Sequence, residues 1–331
     1  MHVFLVRLRA NWMRNLLAIF QVAIAIAAVT AVFADVLPVL RMPTPDPSLF
    51  QVHFGTRSAT SMSWRSAFTV EDAEVLLQEA STVEAVSVYE MQPMQLIRVG
   101  EERYLVQSAA QVSPSYADIG QFELVGGGFF TAEDAGESGP RAVVISQELA
   151  QLLFGEDRPV GQRINLRPEM ERAAMSAFGT MPPERVAAMQ ADPGTDVEVV
   201  GVFRPVGDST GLVRGLSPHM FLPAASRRPT PRLTSAGGRA QMARFSSALF
   251  ANYSELLIKV RDGMVREAEE EVRAILQERV AARGLAGGLM EGREPDIMFR
   301  SVEESEQAIR TARLRGSLIT GAMGLVALIV A

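Results

Sequence analysis

The longest uninterrupted apolar stretch of the chain lies near its start. From Leu16 to Ala34 there are nineteen residues, and none of them is charged. A helix rises about 1.5 Å per residue, so this stretch nearly covers the ~30 Å hydrocarbon core of a bilayer, and Asp35–Leu40 can complete the crossing. The pattern predicts a transmembrane helix over residues 16–40.

The residues around this stretch predict its orientation. Arg7, Arg9 and Arg14 precede it, and positively charged side chains mark the cytoplasmic side of a membrane helix. Residues 1–15 are also amphipathic, which favours a cytoplasmic segment lying on the inner membrane surface. A cleaved signal peptide ending at Ala34 is the alternative interpretation. Either interpretation places the residues that follow outside the cytoplasm.

Small residues recur along the predicted membrane helix. Ala23, Ala27 and Ala31 follow one another at four-residue spacing, which puts them on one face of a helix. Small side chains let two membrane helices approach closely. We expect these alanines to form the face that packs against another membrane helix.

The chain ends in a second apolar run, Gly316–Ala331, of sixteen residues. This is slightly short of the about 17–25 residues that a membrane-spanning helix needs. We expect a second transmembrane helix that is truncated here, in an N-terminal fragment of a longer membrane protein. A buried core helix is the alternative, although such a helix usually has a polar face.

A stalk helix is predicted to lead into this run, so that residues 301–331 form one continuous element. Ser301, with Glu304 three residues later, has the pattern of a capping box at a helix start. Ile309 lies on the apolar face of the predicted helix, and Arg310 can pair with the glutamate four residues before it. Such a rod could carry movement between the membrane and an exterior domain.

Residues 41–300, between the membrane segments, alternate between strand and helix patterns. Two strand–helix–strand units, near residues 51–89 and 255–299, bracket a long middle section. This order indicates an α+β extracytoplasmic domain in which one subdomain is split by another. The predicted parts are a split ferredoxin-like subdomain, about 50–110 and 254–300, and an inserted mixed α/β subdomain, 111–225.

Turn and cap residues organise the inserted part. Ser146 is a predicted N-cap of a short helix, and Gly155 ends that helix. Gly161 then forms a turn before a strand at Val197–Phe203. We therefore assign Gly155 and Gly161 a structural role in turns.

Composition and charge narrow the class of partner. Apolar residues make up 48% of the chain and the mean hydropathy is +0.12, and much of this apolar content lies in the two membrane runs. The net charge of -6 argues against a nucleic-acid partner. Cysteine is absent from the sequence, which excludes disulfides, cysteine–zinc sites and thiol chemistry.

No motif in the chain predicts a catalytic site. The sequence has no phosphate-binding loop, and its single lysine, Lys259, lies in a strand pattern, so ATP hydrolysis must belong to another polypeptide. The three histidines have no metal-ligand spacing. Ser209 fits G-x-S-x-G, but the prolines and glycines around it disfavour the strand and helix that a nucleophile elbow requires. We assign no catalytic, cofactor-binding or metal-binding residue and do not expect an enzyme.

Several segments of the middle section resemble a known family. They are VSPSYADIGQFELVGGGFFTAED, AVVISQELAQLLFGEDRPVGQRINL, VEVVGVFRPVG and MFLPAA. In content and order they are similar to the extracytoplasmic core domain of MacB/FtsX-like ABC transporter permeases. The resemblance also covers the N-terminal helix and the stalk, so it spans most of the chain. Because the matching residues are packing and turn residues, it concerns fold and class more than cargo.

The resemblance implies a multi-pass protein of the bacterial inner membrane, most of it on the periplasmic side. It implies the permease subunit of an ABC system that does work on periplasmic or membrane-derived cargo, in export, efflux or lipoprotein release. The implied partners are a separate ATPase subunit and a second copy or related permease subunit, with a periplasmic adaptor as a further candidate. The residues alone leave open an alternative, a ligand-sensing receptor with two transmembrane helices.

The chain departs from the family pattern in two places. One is the C-terminal membrane region, which in the family supplies further helices and the cytoplasmic contact to the ATPase and is missing here. The other is an insertion. Residues 166–195 form an insertion rich in methionine, where we expect a short hairpin. Methionine side chains adapt to apolar ligands, so the insertion could bind one. A surface loop is the other interpretation, because insertions usually lie on the surface.

Overall fold

The computed structural model describes most of the chain outside its long insertions and its ends. The described residues are 12–41, 46–57, 62–65, 67–92, 95–106, 108–135, 140–155, 157–167, 194–205, 218–225, 253–282, 294–305, 307–308, 311–312, 314–317, 319 and 322. They belong to two compact units, one of Met1–Thr44 with Glu304–Ala331 and one of Pro45–Glu303.

The first unit contains helix α1, Trp12–Arg41. Ten of its large apolar side chains are exposed: Trp12, Leu16, Ile19, Phe20, Val22, Ile24, Ile26, Val29, Phe33 and Leu37. In the described part of the chain, no helix is both long enough and apolar enough to cross a membrane. Residues at 302–305, 307–308, 311–312 and 314–317 are also helical.

The second unit is built on one mixed sheet. Among the described residues its strands are β1 Leu49–Arg57, β2 Met62–Arg65, β3 Val83–Gln92, β4 Gln95–Val99, β5 Glu102–Val106, β6 Ala109–Val112, β7 Phe122–Gly127, β8 Ala142–Ser146, β9 Arg163–Arg167, β10 Thr195–Pro205, β11 Met220–Pro223, β12 Glu255–Val260 and β13 Glu294–Ser301. Their order is β13-β1-β12-β3-β6-β11-β8-β10-β9-β4-β5, with β2 paired to β1 and β7 to β10. The helices of this unit are α2 Val70–Glu79, α3 Gln147–Phe154 and α4 Val265–Ala282, with 3-10 turns at Pro114–Asp118 and Ala132–Ala135.

Strands β13, β1, β12 and β3 lie side by side at one end of the sheet, and each pair of neighbours is antiparallel. Helix α2 connects β1, through β2, to β3, and α4 connects β12 to β13. In chain order these strands are arranged 4-1-3-2, which is the order of a ferredoxin-like β-α-β-β-α-β unit. The apolar sides of both helices and of these strands form one buried cluster.

Helix α2 begins where its sequence provides a cap. The Thr69 hydroxyl accepts from the backbone N–H of Asp72 at 3.2 Å, and the Asp72 carboxylate accepts from the backbone N–H of Thr69 at 2.8 Å. This reciprocal capping box satisfies N–H groups that the first turn of a helix leaves open. The apolar side of the helix follows at Val70, Ala73 and Leu76.

Charged side chains join the two helices to each other and to the sheet. Asp72 is fully buried and accepts from Arg279 Nε of α4 at 2.6 Å. This hydrogen bond raises the pKa of Arg279. Burial alone would raise the pKa of Glu271, also on α4, but hydrogen bonds from Thr82 Oγ1 at 2.6 Å and from nearby backbone N–H groups outweigh it and lower that pKa.

The rest of the sheet contains parallel pairs. Strands β6 and β11 are parallel, as are β8 and β10. Hairpin β4–β5, over residues 95–106, pairs through β4 with β9 at the far end of the sheet. Its buried Ile97 and Val106 belong to the same apolar cluster as β8, β9, β10 and α3. Hairpin β4–β5 therefore packs with strands that come from about seventy residues later in the sequence.

Strands β9 and β10 form an antiparallel hairpin, in which Leu166 pairs with Thr195 and Arg163 with Glu198. The methionine-rich insertion lies between these two strands. Its residues 168–193 are outside the described part of the chain.

An aromatic cluster fills the other face of the sheet. Tyr116 packs on Phe221 with ring centroids 5.1 Å apart, and Phe221 packs on Phe203 at 4.7 Å. Phe122 contacts all three rings at 5.4 to 6.0 Å. Burial raises the pKa of Tyr116, so this phenol stays neutral and acts in packing.

Two glycines allow β7 and β10 to approach closely. A Cβ at Gly127, whose φ is +68°, would lie 2.1 Å from the carbonyl oxygen of Val200. A Cβ at Gly201 would lie 2.1 Å from the carbonyl oxygen of Gly128. The register shifts between Val202 and Phe203, so these glycines sit beside a bulge.

We expect Gly201→Ala to destabilise the domain by about 2–3 kcal/mol, because the new methyl group overlaps backbone that cannot move away. Gly126→Ala on the facing strand is the matched control, since its Cβ would lie 3.9 Å from Val160 and 4.0 Å from Val202. We expect that variant to be neutral or stabilised by up to about 1 kcal/mol. Urea unfolding followed by circular dichroism measures both. Equal free energies of unfolding for the two variants would contradict the close approach.

Arg279→Met should lower the free energy of unfolding by about 3 kcal/mol, because it leaves the buried Asp72 carboxylate without its cation. Arg266→Met on the same helix is the control, since Arg266 pairs with Glu270 at 3.6 Å and both are largely exposed. Its effect should stay within about 0.5 kcal/mol. The same unfolding measurement serves, and a small effect of both variants would show that the buried pair adds little.

Candidate functional site

The chain enters and leaves the second unit at neighbouring positions of the sheet. Strand β1 begins at Leu49 and β13 ends at Ser301, and the two strands are antiparallel partners. Their register places Phe50 opposite Ser301. We call these two segments, residues 46–50 and 299–302, the junction.

A tight turn fixes the incoming segment of the junction. The Asp46 carboxylate accepts from the backbone N–H of Ser48 at 2.9 Å and from its hydroxyl at 2.6 Å. The backbone N–H of Leu49 donates to the Asp46 carbonyl at 3.0 Å, and that of Val260 donates to the Ser48 carbonyl at 2.9 Å. The incoming chain is therefore tied to the end of β12 before β1 begins.

Apolar contacts fix the junction on both faces of the sheet. Phe50 stacks on Phe299 with ring centroids 4.6 Å apart, on the face covered by α2 and α4. Leu49 and Val302 are buried on the opposite face and belong to one cluster with Leu257. Neighbouring residues of a strand point to opposite faces. Both segments of the junction therefore pack on both faces of the sheet.

Buried polar groups next to the junction carry no acid–base function that the geometry supports. Tyr89 is fully buried, and burial, followed by the nearby Tyr116 and Glu255, raises its pKa well above the ordinary value. His53 Nδ1 lies 3.9 Å from Glu255 Oε1. A phenol with a raised pKa stays protonated at neutral pH and cannot act as a base there.

Ser146, His219 and Glu148 form the described cluster closest to a hydrolytic triad. Ser146 Oγ lies 3.3 Å and Glu148 Oε2 lies 3.9 Å from the same atom, His219 Nδ1. A catalytic triad contacts the hydroxyl and the carboxylate through different ring nitrogens. The Ser146 hydroxyl also accepts from the backbone N–H of Leu149 as the cap of α3. Within the described residues, no group of three or more His, Cys, Asp or Glu could hold a metal ion.

The residues predicted from sequence lie in three places. Gly155 ends α3 with a φ of +61°, and Gly161 has a φ of +89° and donates to the Val199 carbonyl at 2.8 Å. Ser301 is the last residue of β13 and helical residues follow it at once, with Glu304 exposed. Ala23 and Ala27 are exposed on α1. The side chain of Ala31, and Ile309 and Arg310, lie outside the described part.

The sequence did not predict the incoming half of the junction. Its signal was the Asp-Pro-Ser order at residues 46–48, which is typical of a turn closed by an aspartate side chain. Leu49 and Phe50 precede the strand pattern, which is predicted to begin near residue 51. Their partners, Lys259 of β12 for Leu49 and Ser301 of β13 for Phe50, are more than two hundred residues away in the sequence.

Comparison with known proteins identifies related domains. The model of the MacB-like periplasmic core domain matches residues 15–275. No curated protein matches the chain. Among solved structures, the periplasmic region of MacB from Actinobacillus actinomycetemcomitans is similar over 79% of this chain and 92% of its own, with 13% identity and a TM-score of 0.47. The extracellular domain of the ABC-type transporter YknZ from Gram-positive bacteria is similar over 70% of this chain and 95% of its own, with 18% identity and a TM-score of 0.42.

A pair of cysteines tests the junction, because the chain has none of its own. Gln51 pairs directly with Arg300, and facing Cα atoms of antiparallel strands lie about 4.5–5.5 Å apart, within disulfide reach. Gln51→Cys with Arg300→Cys should therefore form a disulfide under mild oxidation, detected by mass spectrometry. Gln51→Cys with Met298→Cys is the control, since diagonal positions lie about 7–8 Å apart. Equal oxidation of both pairs would contradict the register.

Proposed function

Because the chain belongs to the family of MacB-like periplasmic core domains, the extracytoplasmic part of ABC transporter permease-type proteins, we propose that it is the permease subunit of such a transporter. In this proposal a separate subunit hydrolyses ATP, and the permease converts that reaction into movement outside the membrane. The cargo is periplasmic or derived from the membrane. Export, efflux and lipoprotein release are the activities of this type.

The junction is the observation that carries this proposal. Its incoming and outgoing segments are hydrogen-bonded neighbours, so a shift of either segment acts on the same edge of the sheet. Phe50 and Phe299 pack against one face while Leu49 and Val302 pack against the other. A well-packed interior transmits displacement instead of absorbing it. An input at the junction would therefore move the whole ferredoxin-like part.

Attachment to the inner membrane is part of the proposal. Residues 16–34 contain no charge, and ten of the described large apolar side chains of α1 are exposed. An exposed apolar surface of this size on a helix is costly in water and favourable in lipid. We place residues 1–15 in the cytoplasm, residues 16–40 in the membrane as the first helix, and residues 301–331 in the stalk and the start of the second.

Two features suggest the proposed partners: the absence of a phosphate-binding loop from residues 1–331 and the small side chains on the surface of helix α1. Residues 1–331 contain no phosphate-binding loop, and the proposal assigns nucleotide binding to a separate ATPase subunit. Ala23 and Ala27 are exposed on one side of α1, and with Ala31 they would form the surface that pairs with a second permease subunit. A periplasmic adaptor is a further candidate partner.

A flexible insertion tests the coupling in the full-length protein with its ATPase subunit. Six Gly and Ser residues placed after Glu304 would interrupt the helical connection and leave Val302 in the core. The same insertion after Gly100 is the control, since no atom lies within 4 Å of a Cβ at that exposed turn. Spin labels at Leu77→Cys, an exposed position of α2, report the distance between the two copies by pulsed electron resonance.

We expect ATP with vanadate to change this distance in the parent and in the Gly100 variant, and to leave it unchanged in the Glu304 variant while basal ATP hydrolysis continues. A preserved change in the Glu304 variant would refute coupling through the junction. If no ATPase copurifies with the parent and nucleotide changes no distance, the permease proposal fails and a ligand-sensing receptor becomes the better interpretation.

A further inference from the structure

A groove of about 720 Å³ opens on the surface of the second unit, away from the junction. Its sides are helix α3, the ends of strands β7 and β10, and the turn that follows α3. The lining residues are Val125, Gly126, Gln147, Ala150, Gln151, Gly155, Asp157, Arg158, Pro159, Val160, Val202 and Arg204. This volume falls within the ~300–1,000 Å³ range of small-molecule sites.

The floor of the groove is apolar. Val202 and Ala150 are buried there, while Val125 and Val160 are 39% and 41% exposed. Gly126 has no side chain, and a Cβ at this position would just touch Val160 and Val202 at 3.9 and 4.0 Å. The missing side chain therefore keeps the floor open. Exposed apolar residues gathered in a concave surface are typical of a binding site.

Cationic and amide groups line the same groove. Arg158 is exposed and makes no ion pair or hydrogen bond with any described residue. Arg204 donates from Nε to Gln147 Oε1 at 3.1 Å, and its Nη1 lies 3.5 Å from Glu123 Oε2 in an exposed pair. Asp157 is the one carboxylate among the lining residues. Because Glu123 already pairs with Arg204, Arg158 is the guanidinium of the lining whose donors are open to a ligand.

These observations together select a class of ligand. The apolar floor favours a hydrocarbon or aromatic body, and an arginine with open donors favours a carboxylate, sulfonate or phosphate group in a two-point hydrogen bond. A neutral apolar molecule would leave the open donors of Arg158 unused. We propose that this groove binds an organic anion of drug-like size, with its body on the Val125–Val160–Val202 floor and its anionic group on Arg158.

The site concerns binding by the core domain and does not require that the chain work as a permease. It also uses none of the junction residues. Loss of coupling in the insertion variant and loss of ligand in the groove variants are therefore separate results.

Photolabelling of the full chain tests the site without isolating the domain. The probe is 4-benzoylbenzoate, an aromatic carboxylate that reacts with nearby C–H bonds in light, and its neutral amide, 4-benzoylbenzamide, is the matched probe. Mass spectrometry of the peptides that carry residues 122–127 and 147–160 measures the labelled fraction against probe concentration. We expect saturable labelling there by the carboxylate and about tenfold weaker labelling by the amide, since a hydrogen bond to a charged group is lost.

Two variants alter the groove by different routes. Arg158→Gln should raise the half-saturating concentration about tenfold, because the cation is lost from an exposed position where folding is unaffected. Gly126→Leu should abolish labelling by filling the floor, and a melting temperature close to the parent's shows that it folds. Arg98→Gln, on strand β4 outside the groove, is the control and should label as the parent does.

Equal labelling by the carboxylate and the amide would overturn recognition of an anion. Labelling found only in other peptides would overturn the proposed site. Labelling that is unchanged in both Gly126→Leu and Arg158→Gln would overturn it too. Labelling that falls in Arg98→Gln as much as in Arg158→Gln would show that general surface charge, and no built groove, attracts the probe.

Discussion

The architecture of the exterior domain depends on the pairing of the first strand with the last. Strand β1 is bordered along its whole length by β13, and on its other edge first by β12 and then by β2. Both β12 and β13 follow the middle section in the sequence. Their pairing with β1 therefore closes a loop that contains the whole middle section. The entropic free-energy cost of closing a long loop rises slowly, by about 0.6 kcal/mol for each doubling of the loop length. A large insertion inside this unit is therefore tolerated thermodynamically.

Different forces hold the two faces of this closed unit. On one face, α2 and α4 cover an aliphatic cluster, and the buried Asp72 with Arg279 fixes how the two helices lie on the strands. On the other face, packed uncharged aromatic rings connect the unit to the neighbouring strands. Buried ion pairs fix geometry more than they add stability, whereas large rings add apolar burial. The ion pair on one face and the packed rings on the other together resist deformation of the ferredoxin-like part next to the junction.

Features encoded within a few residues could be predicted from the sequence. The two strand–helix–strand patterns near residues 51–89 and 255–299 and the Ser146 cap of α3 are features of this kind. The family resemblance rests on such local signals. The position of hairpin β4–β5 in the sheet could not be predicted, because it depends on a pairing with β9 about seventy residues later. The junction and the groove were missed for the same reason, since each joins residues that are far apart in the chain.

Hairpin β9–β10 has a consequence for protein engineering. Its register, from Leu166 opposite Thr195 to Arg163 opposite Glu198, is set by the strands themselves and by their contacts with β4 and β8. The sequence that links the two strands can therefore vary in length without shifting any residue of the sheet. The methionine-rich insertion already lies between these two strands. The same connection can accept an epitope tag or a small rigid fusion partner, which would provide a fiducial marker for imaging the domain.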